Sequence, residues 1–204
     1  MTLIKSISGI RGTIGNKPGE NLTPIDIAKF TAAFAAFMKN ASPGKRLKFV
    51  VGRDARISGP MVESIVISTL SGMGIDVINT GLSTTPTVEM AVINLDADGG
   101  IIITASHNPK QWNALKLLNE KGEFLDAVEG AKILEIAESD TMDFADVDNL
   151  GRITKNEAYF DIHIDEVLKL PLVNAKAIES AKFKVVVDGV NSTGGIFIPA
   201  LLKE

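Results

Sequence analysis

Three polar side chains in one short string hold the chain's main prospects for chemistry. They are Ser106, His107 and Asn108, within Thr104-Ala105-Ser106-His107-Asn108-Pro109. The string follows Gly99-Gly100-Ile101-Ile102-Ile103, an isoleucine run that suits a central strand covered on both faces. A serine held at the mouth of a buried strand can be a nucleophile, a phosphate ligand or a backbone cap. Ten residues on, Lys116 lies between Leu115 and Leu117 in a second β-rich segment, 114–118. Side chains alternate along a strand, so Lys116 faces opposite to both leucines and can turn toward the serine loop. A lysine there would neutralise phosphate charge. Partly withdrawn from water, it could also exchange a proton with a substrate hydroxyl.

Two arginine-bearing segments add to this set. Arg11 sits among Gly9, Gly12 and Gly15. Glycine lets backbone approach an anion closely, and arginine matches phosphate oxygens in pairs. The string GIRGTIG fits neither the dinucleotide fingerprint nor the Walker loop. It precedes any clear strand and reads as flexible, glycine-rich backbone. Arg53, Asp54 and Arg56 follow a strand at 47–51, at the end where open α/β sheets commonly bind ligands. Substrate contact and an internal ion-pair network clamping neighbouring loops are both open readings there. His163, on an expected helix among apolar and acidic residues, reads as structural. Trp112 reads equally as packing over the serine loop or as a surface anchor.

Several chemistries are excluded or unsupported. There is no cysteine, so a thiolate nucleophile, a disulfide and a Cys-ligated metal are ruled out. The GxSxG elbow of serine hydrolases is absent, and adjacent residues such as Ser106 and His107 rarely place base and nucleophile face to face. No dense carboxylate cluster suits Mg²⁺. Asp96 and Asp98 precede the isoleucine strand, at the wrong end for Ser106. The net charge of −4 argues against nucleic acid, though not against a phosphorylated small molecule. The N-terminal residues carry no signal-peptide pattern and no apolar run approaches a membrane span, so a cytoplasmic protein without a membrane partner is expected.

The elements that must position these groups alternate between helix and strand. Thr23-Pro24 reads as an N-cap followed by proline at the first helical position. Ile27, Phe30, Ala33, Phe34 and Phe37 then mark a helix over 24–39 by their spacing. Further helices are expected at 60–71, from Pro86 to about 95, and at 126–137. Strands are expected at 47–51, 75–79, 100–104 and 114–118. Residues 138–155 read as a polar surface connection. Helices then precede Pro171 and span 174–180, a strand covers 183–187, and a last helix begins near 195. This alternation predicts a three-layer αβα domain with a mixed sheet over 1–152. The start of a second, similar α/β domain is expected over 153–204, where the last ~50 residues cannot close a second core.

In combination, four strings resemble the α-D-phosphohexomutase superfamily. TASHNP at 104–109 with WNALK at 112–116 is similar to its active-serine loop. GIRG at 9–12 and VGRDARISG at 51–59 resemble its other first-domain signatures, and VVVDGVNSTGG at 185–195 resembles the opening of its second domain. The resemblance spans essentially the whole chain, in order. It implies an enzyme that interconverts hexose 1-phosphates and 6-phosphates through a phosphoserine and a bisphosphorylated sugar.

On that resemblance Ser106 carries the phosphate, and Arg11 lies near the phosphoryl group. His107 is the adjacent loop histidine, and Lys116 serves as general acid or base. Arg53 and Asn108 support substrate or phosphate. Mg²⁺ binds through the Ser106 phosphate, with its other ligands elsewhere. The partner is a phosphorylated hexose, with glucose or mannose favoured and glucosamine the alternative. A non-catalytic phosphosugar-binding module is the alternative of another class.

One position departs from the pattern: Ala114 stands where many relatives have glycine, which bears on the placement of Lys116. The family's aspartate-rich metal loop, sugar-recognition loop and phosphate-binding loop have no counterpart in these residues. The chain is therefore expected to be an N-terminal fragment that alone neither turns over sugar phosphates nor binds Mg²⁺ tightly.

Overall fold

The computed structural model describes residues 1–6, 9–139, 141–156 and 158–204. Seven strands form one sheet: β1 (Ile4–Ser6), β2 (Gly9–Thr13), β3 (Lys48–Arg53), β4 (Asp76–Leu82), β5 (Gly99–Ile103), β6 (Trp112–Leu118) and β7 (Ile153–Lys155). Their order is β1-β2-β6-β5-β3-β4-β7. One half, β5-β3-β4-β7, is parallel, while β6 runs antiparallel to β5 and β2 antiparallel to β6. The sheet is therefore mixed, as expected.

Helices cover both faces. One face packs against α1 (Pro24–Ala41), α2 (Gly59–Gly72) and α4 (Ala127–Ser139). The other packs against α3 (Thr85–Asn94) and α5 (Tyr159–Leu168). The central strands explain their composition: every residue of β5 is buried, and alternate isoleucines feed opposite cores. Ile101 and Ile103 join the α1 side, and Ile102 joins the α3 side. α1 starts at a capping box in which Thr23 and Asp26 satisfy each other's backbone, with Pro24 behind the cap. α3 is capped by Thr84, whose side chain accepts the Thr87 N–H. After α5 come α6 (Ala175–Ala181) and α7 (Gly194–Leu201), the additional helices that suit the start of a second domain. Among the described residues no helix is long and apolar enough to cross a membrane.

The segment GIRGT differs from its sequence reading. It is not a flexible loop but strand β2, inserted between β1 and β6. Its glycines disguise it, yet they allow its position. A Cβ on Gly9 would lie 2.1 Å from the Leu115 carbonyl oxygen, and its φ of +112° disfavours any other residue. Ile10 is buried beneath it and Arg11 is exposed above it, the alternation of an ordinary strand.

The connection 138–155, whose residue 140 lies outside the described residues, contains a short 3₁₀ turn at Val147–Asn149. It ends in β7, which extends the sheet beside β4 and runs past residue 152. The strand expected at 183–187 does not form among the described residues. Val185, Val186 and Val187 remain 57%, 97% and 39% exposed, because no neighbouring strand is there to pair with them. High β-propensity does not make a strand without a ladder.

Candidate active site

The parallel strands β3 and β5 end side by side, and their following loops build the site. Ser106 comes three residues after the last residue of β5 and adopts a left-handed backbone, φ +51°. That conformation is costly for a non-glycine residue and persists only where its surroundings hold it. Its N–H donates to Thr104 Oγ1 at 3.1 Å. The Thr104 hydroxyl in turn donates to Asp54 Oδ2 at 2.6 Å. Asp54 belongs to the loop after β3, and its own N–H is tied to the Ile103 carbonyl at 3.1 Å. A chain of hydrogen bonds thus runs from the β3 loop to the serine.

Arg56 completes the junction. Its Nε donates to Asp54 Oδ2 at 3.2 Å. Its Nη2 reaches the carbonyls of Ser106 and Asn108 at 2.7 and 2.8 Å. Its Nη1 reaches those of Pro109 and Trp112, both at 2.9 Å. The side chain is 11% exposed. Between the two open sequence readings for this cluster, the structure therefore forms the clamping network. Arg53 belongs to it too. Its Nε pairs with Glu63 Oε2 at 3.1 Å and its Nη1 donates to the Asp54 carbonyl at 3.1 Å. Arg53 lines a separate cavity with Glu63 and Lys155 and does not line the one that holds Ser106.

The Ser106 cavity has a volume of about 500 Å³ and opens to solvent. Ser106 and His107 line it on one side, together with Asp54, Ile102 and Thr104. Thr84 and Thr85 bring the N-terminus of α3 to it, and residues 188–190 and 192–194 bring the loop before α7. That loop touches the first one where the Ala55 N–H donates to Ser192 Oγ at 3.4 Å. Helix N-termini carry free N–H groups and partial positive charge, an environment suited to an anion. Among the described residues the Ser106 hydroxyl has no hydrogen-bond partner and none links it to His107.

Strand register places the remaining residues. Lys116 pairs with Ile102 across β5–β6, and Arg11 pairs with Ala114 across β2–β6. Directly opposed residues share a face, as do residues two apart. Arg11, Ala114, Lys116, Ile102 and Thr104 therefore lie on the α3 face, the face that bears the cavity. Leu115 and Leu117 are buried in the core on the other side. Arg11 is exposed on this face. The Lys116 ammonium lies 5.4 Å from the centre of the Phe124 ring. It also offsets part of the burial that pushes the Glu89 carboxyl up. Lys116 and Arg11 share the face but do not line the cavity itself. Asn108 is half-buried and supports the loop by its backbone, its N–H donating to the Ala105 carbonyl at 3.0 Å. Ala114, the departure from the pattern, sits in regular strand backbone outside the left-handed region, so no glycine is required there.

His163 is buried where α5 meets α3 and α7. Its Nδ1 is 2.9 Å from Thr87 Oγ1 and its ring centre is 4.6 Å from that of Phe197. Burial lowers its pKa. The structural reading of this residue holds. Trp112 opens β6 opposite Thr13 and gives its carbonyl to Arg56. Among the described residues no group of three or more metal-ligating side chains assembles. In the cavity Asp54 is already committed to Arg56 and Thr104, and the other lining carboxylate, Asp188, accepts the Val190 N–H at 2.9 Å. These residues do not by themselves fit Mg²⁺, which wants several oxygen ligands. The sequence names Arg56 and Asp54 without deciding their role, and it places Thr104 and residues 188–190 and 192–194 only within strings of family resemblance, giving them no part in the site. The signals were the charges placed just after β3 and the glycine-rich string before α7.

Fold and site together define an α/β/α domain that presents a serine loop at the carboxyl ends of its parallel strands. Residues 3–143 match the family described as phosphoglucomutase/phosphomannomutase, alpha/beta/alpha domain I, and the chain belongs to that family. It is 36% identical over 96% of its length to a phosphoglucomutase/phosphomannomutase of Thermococcus kodakarensis, covering 41% of that protein. It is 33% identical over its whole length to a phosphoglucosamine mutase of a Sulfurovum species, covering 44% of it. Further relatives at 28–36% identity are named predominantly as phosphoglucosamine mutases. The chain thus spans less than half the length of the curated relatives it matches. Among solved structures, the open form of a Paramecium phosphoglucomutase, pp63/parafusin, superposes with a TM-score of 0.74. At 16% identity, and covering 99% of this chain and 42% of that one, it attests the fold alone.

Proposed function

We propose that this chain carries the phosphoryl-bearing part of a phosphohexomutase, with Ser106 as the covalent phosphate carrier. The observation that supports this most directly is the state of Ser106. Its amide and carbonyl are both fixed by neighbours, while among the described residues its hydroxyl stands unpaired in a cavity flanked by two helix N-termini. Such a site favours positioning and charge neutralisation, which dominate phosphoryl transfer.

In the proposed step a sugar hydroxyl attacks the phosphorus on Ser106. The new O–P bond forms as the P–Oγ bond breaks, the hydroxyl proton passes to Lys116, and the departing Ser106 Oγ takes a proton from solvent, which it gives back when it is rephosphorylated. The resulting bisphosphorylated sugar turns over and returns its other phosphate to Ser106 by the reverse step. The returning proton goes from Lys116 to the freed sugar oxygen. Arg11 and His107 bear on the phosphoryl oxygens, and Asn108 and Arg53 hold the loops that frame them. A divalent ion, when bound, would neutralise phosphoryl charge; its ligands would have to include groups beyond those gathered here.

Names among the relatives favour a hexosamine phosphate over glucose or mannose phosphate as substrate, which reverses the preference drawn from the sequence. The test is competitive turnover of glucose, mannose and glucosamine phosphates by the whole protein, with intact-mass measurement of Ser106. One phosphate on Ser106 that leaves on incubation with a sugar phosphate is expected, with the glucosamine compound turned over fastest. A permanently unmodified Ser106 with reversible sugar-phosphate binding would instead make the chain part of a binding module.

A further inference from the structure

We infer that Arg56 is a positioning residue whose guanidinium serves as the template for the serine loop, and that it makes no contact with phosphate or sugar. The inference rests on the reading of Ser106 as a phosphate carrier. A guanidinium has five N–H donors in a fixed plane and no acceptor. Here Nε–H is taken by Asp54, the two Nη1 donors by the Pro109 and Trp112 carbonyls, and the two Nη2 donors by those of Ser106 and Asn108. All five donors are used, so none remains for a ligand. The four carbonyl acceptors, at residues 106, 108, 109 and 112, run from within the turn after β5 to the first residue of β6.

Four carbonyls pointing at one centre would repel each other without a cation between them. A loop that turns its carbonyls inward to one largely buried cation turns its opposite side outward. Ser106 is held within that turn from both ends, its carbonyl by Arg56 and its N–H by Thr104, which Asp54 holds. Asp54 is the partner of the same Arg56. The left-handed Ser106 backbone is therefore over-determined by one arginine acting directly and through two relays. Lysine cannot substitute. Its ammonium has three donors and no plane, and five acceptors surround the site.

The test compares wild type with Arg56→Lys and Arg56→Ala in two measurements. Amide hydrogen exchange on the 204-residue chain reads the loop. Phosphate uptake by Ser106 from hexose 1,6-bisphosphate, and turnover, are read on the whole protein. Both variants are expected to exchange the amides of 105–112 at least tenfold faster, with the central amides of β3 and β5 unchanged. Turnover should fall at least 100-fold in kcat with KM within about threefold, because no ligand contact is lost. Millimolar guanidinium ion should restore part of the rate to Arg56→Ala and none to Arg56→Lys, where the ammonium occupies the space.

Rescue of turnover by Arg56→Lys would overturn the inference, since charge alone would then suffice. An unchanged loop exchange, or a loosened loop with an unchanged kcat, would overturn it too. If a variant unfolds, its β3 and β5 amides will exchange as well, and the guanidinium arm on Arg56→Ala then decides: no recovery of native exchange or rate rejects the template. A wild type that never takes up phosphate fails the carrier reading itself, and the positioning role falls with it, whatever the exchange pattern.

Discussion

Lys116 lies directly across the β5–β6 ladder from Ile102, a residue that lines the Ser106 cavity. This register commits Lys116 to the cavity's face of the sheet, and a slip of one residue would bury it among the core leucines instead. Removing its amine should therefore affect chemistry more than folding. Lys116→Met in the whole protein is expected to lower kcat by about 10²–10⁴-fold, the usual worth of a general acid or base. The thermal midpoint should stay within a few degrees of wild type, and Ser106 should keep its phosphate. Stopped-flow turnover with a parallel thermal melt checks both. A loss below tenfold would remove Lys116 from the proton-transfer role.

His163 predicts a pH dependence of stability. Burial among Thr87 and Phe197 holds its folded-state pKa below the ordinary value. The unfolded chain therefore binds the proton first as pH falls. Stability contributed by the neutral ring is fully present above the usual histidine range, about 6.5, and drains away as pH drops from there toward the folded value. Asp76 is also lowered, chiefly by its hydrogen bond from Arg46. Its contribution fades only below the ordinary carboxylate range, so the two windows separate. Urea midpoints measured between pH 7.5 and 5 should decline in wild type and stay flatter in His163→Phe.

Thr31 offers a stabilising change. It is fully buried in α1, and among the described residues its hydroxyl has no hydrogen-bond partner. Valine keeps the shape and removes the unpaired polar atom, which costs roughly 1–3 kcal/mol to bury. Thr31→Val is expected to raise unfolding stability by about 1 kcal/mol, read as a higher urea midpoint at constant slope. An unchanged or lower midpoint would mean that the hydroxyl is satisfied in solution.

Gly9 allows β2 to lie against β6. Alanine there would meet the Leu115 carbonyl oxygen at 2.1 Å with a left-handed φ, and neither can relax without moving a strand. Gly9→Ala should destabilise by about 1–3 kcal/mol for the backbone conformation alone, with the clash in addition. The Arg11 and Ala114 amides should lose hydrogen-exchange protection before those of β3 do. Uniform loss of protection across the sheet would show that β1 and β2 do not open separately from the rest of it.

Much of the architecture was legible in the amino-acid pattern. Helical spacing of Ile27, Phe30 and Phe34 placed α1, and Thr23-Pro24 and Pro86 marked the starts of α1 and α3. The isoleucine run fixed β5 as central, and leucines on both sides of Lys116 told which way the lysine faces. Ser106 stood out because a polar loop followed an apolar strand. These are local signals, set by periodicity and by which side chains tolerate water.

What stayed hidden depended on neighbours distant in sequence. GIRGT became a strand because β6 came alongside it, and VVV at 185–187 failed to become one because no partner did. The choice between ligand contact and clamp for Arg56 turned on four carbonyls some fifty residues away. Residue type alone determined which groups could do chemistry here. The tertiary structure decided which of them are free to do it, because a hydrogen-bond donor can be spent only once, and its partners are chosen by the fold.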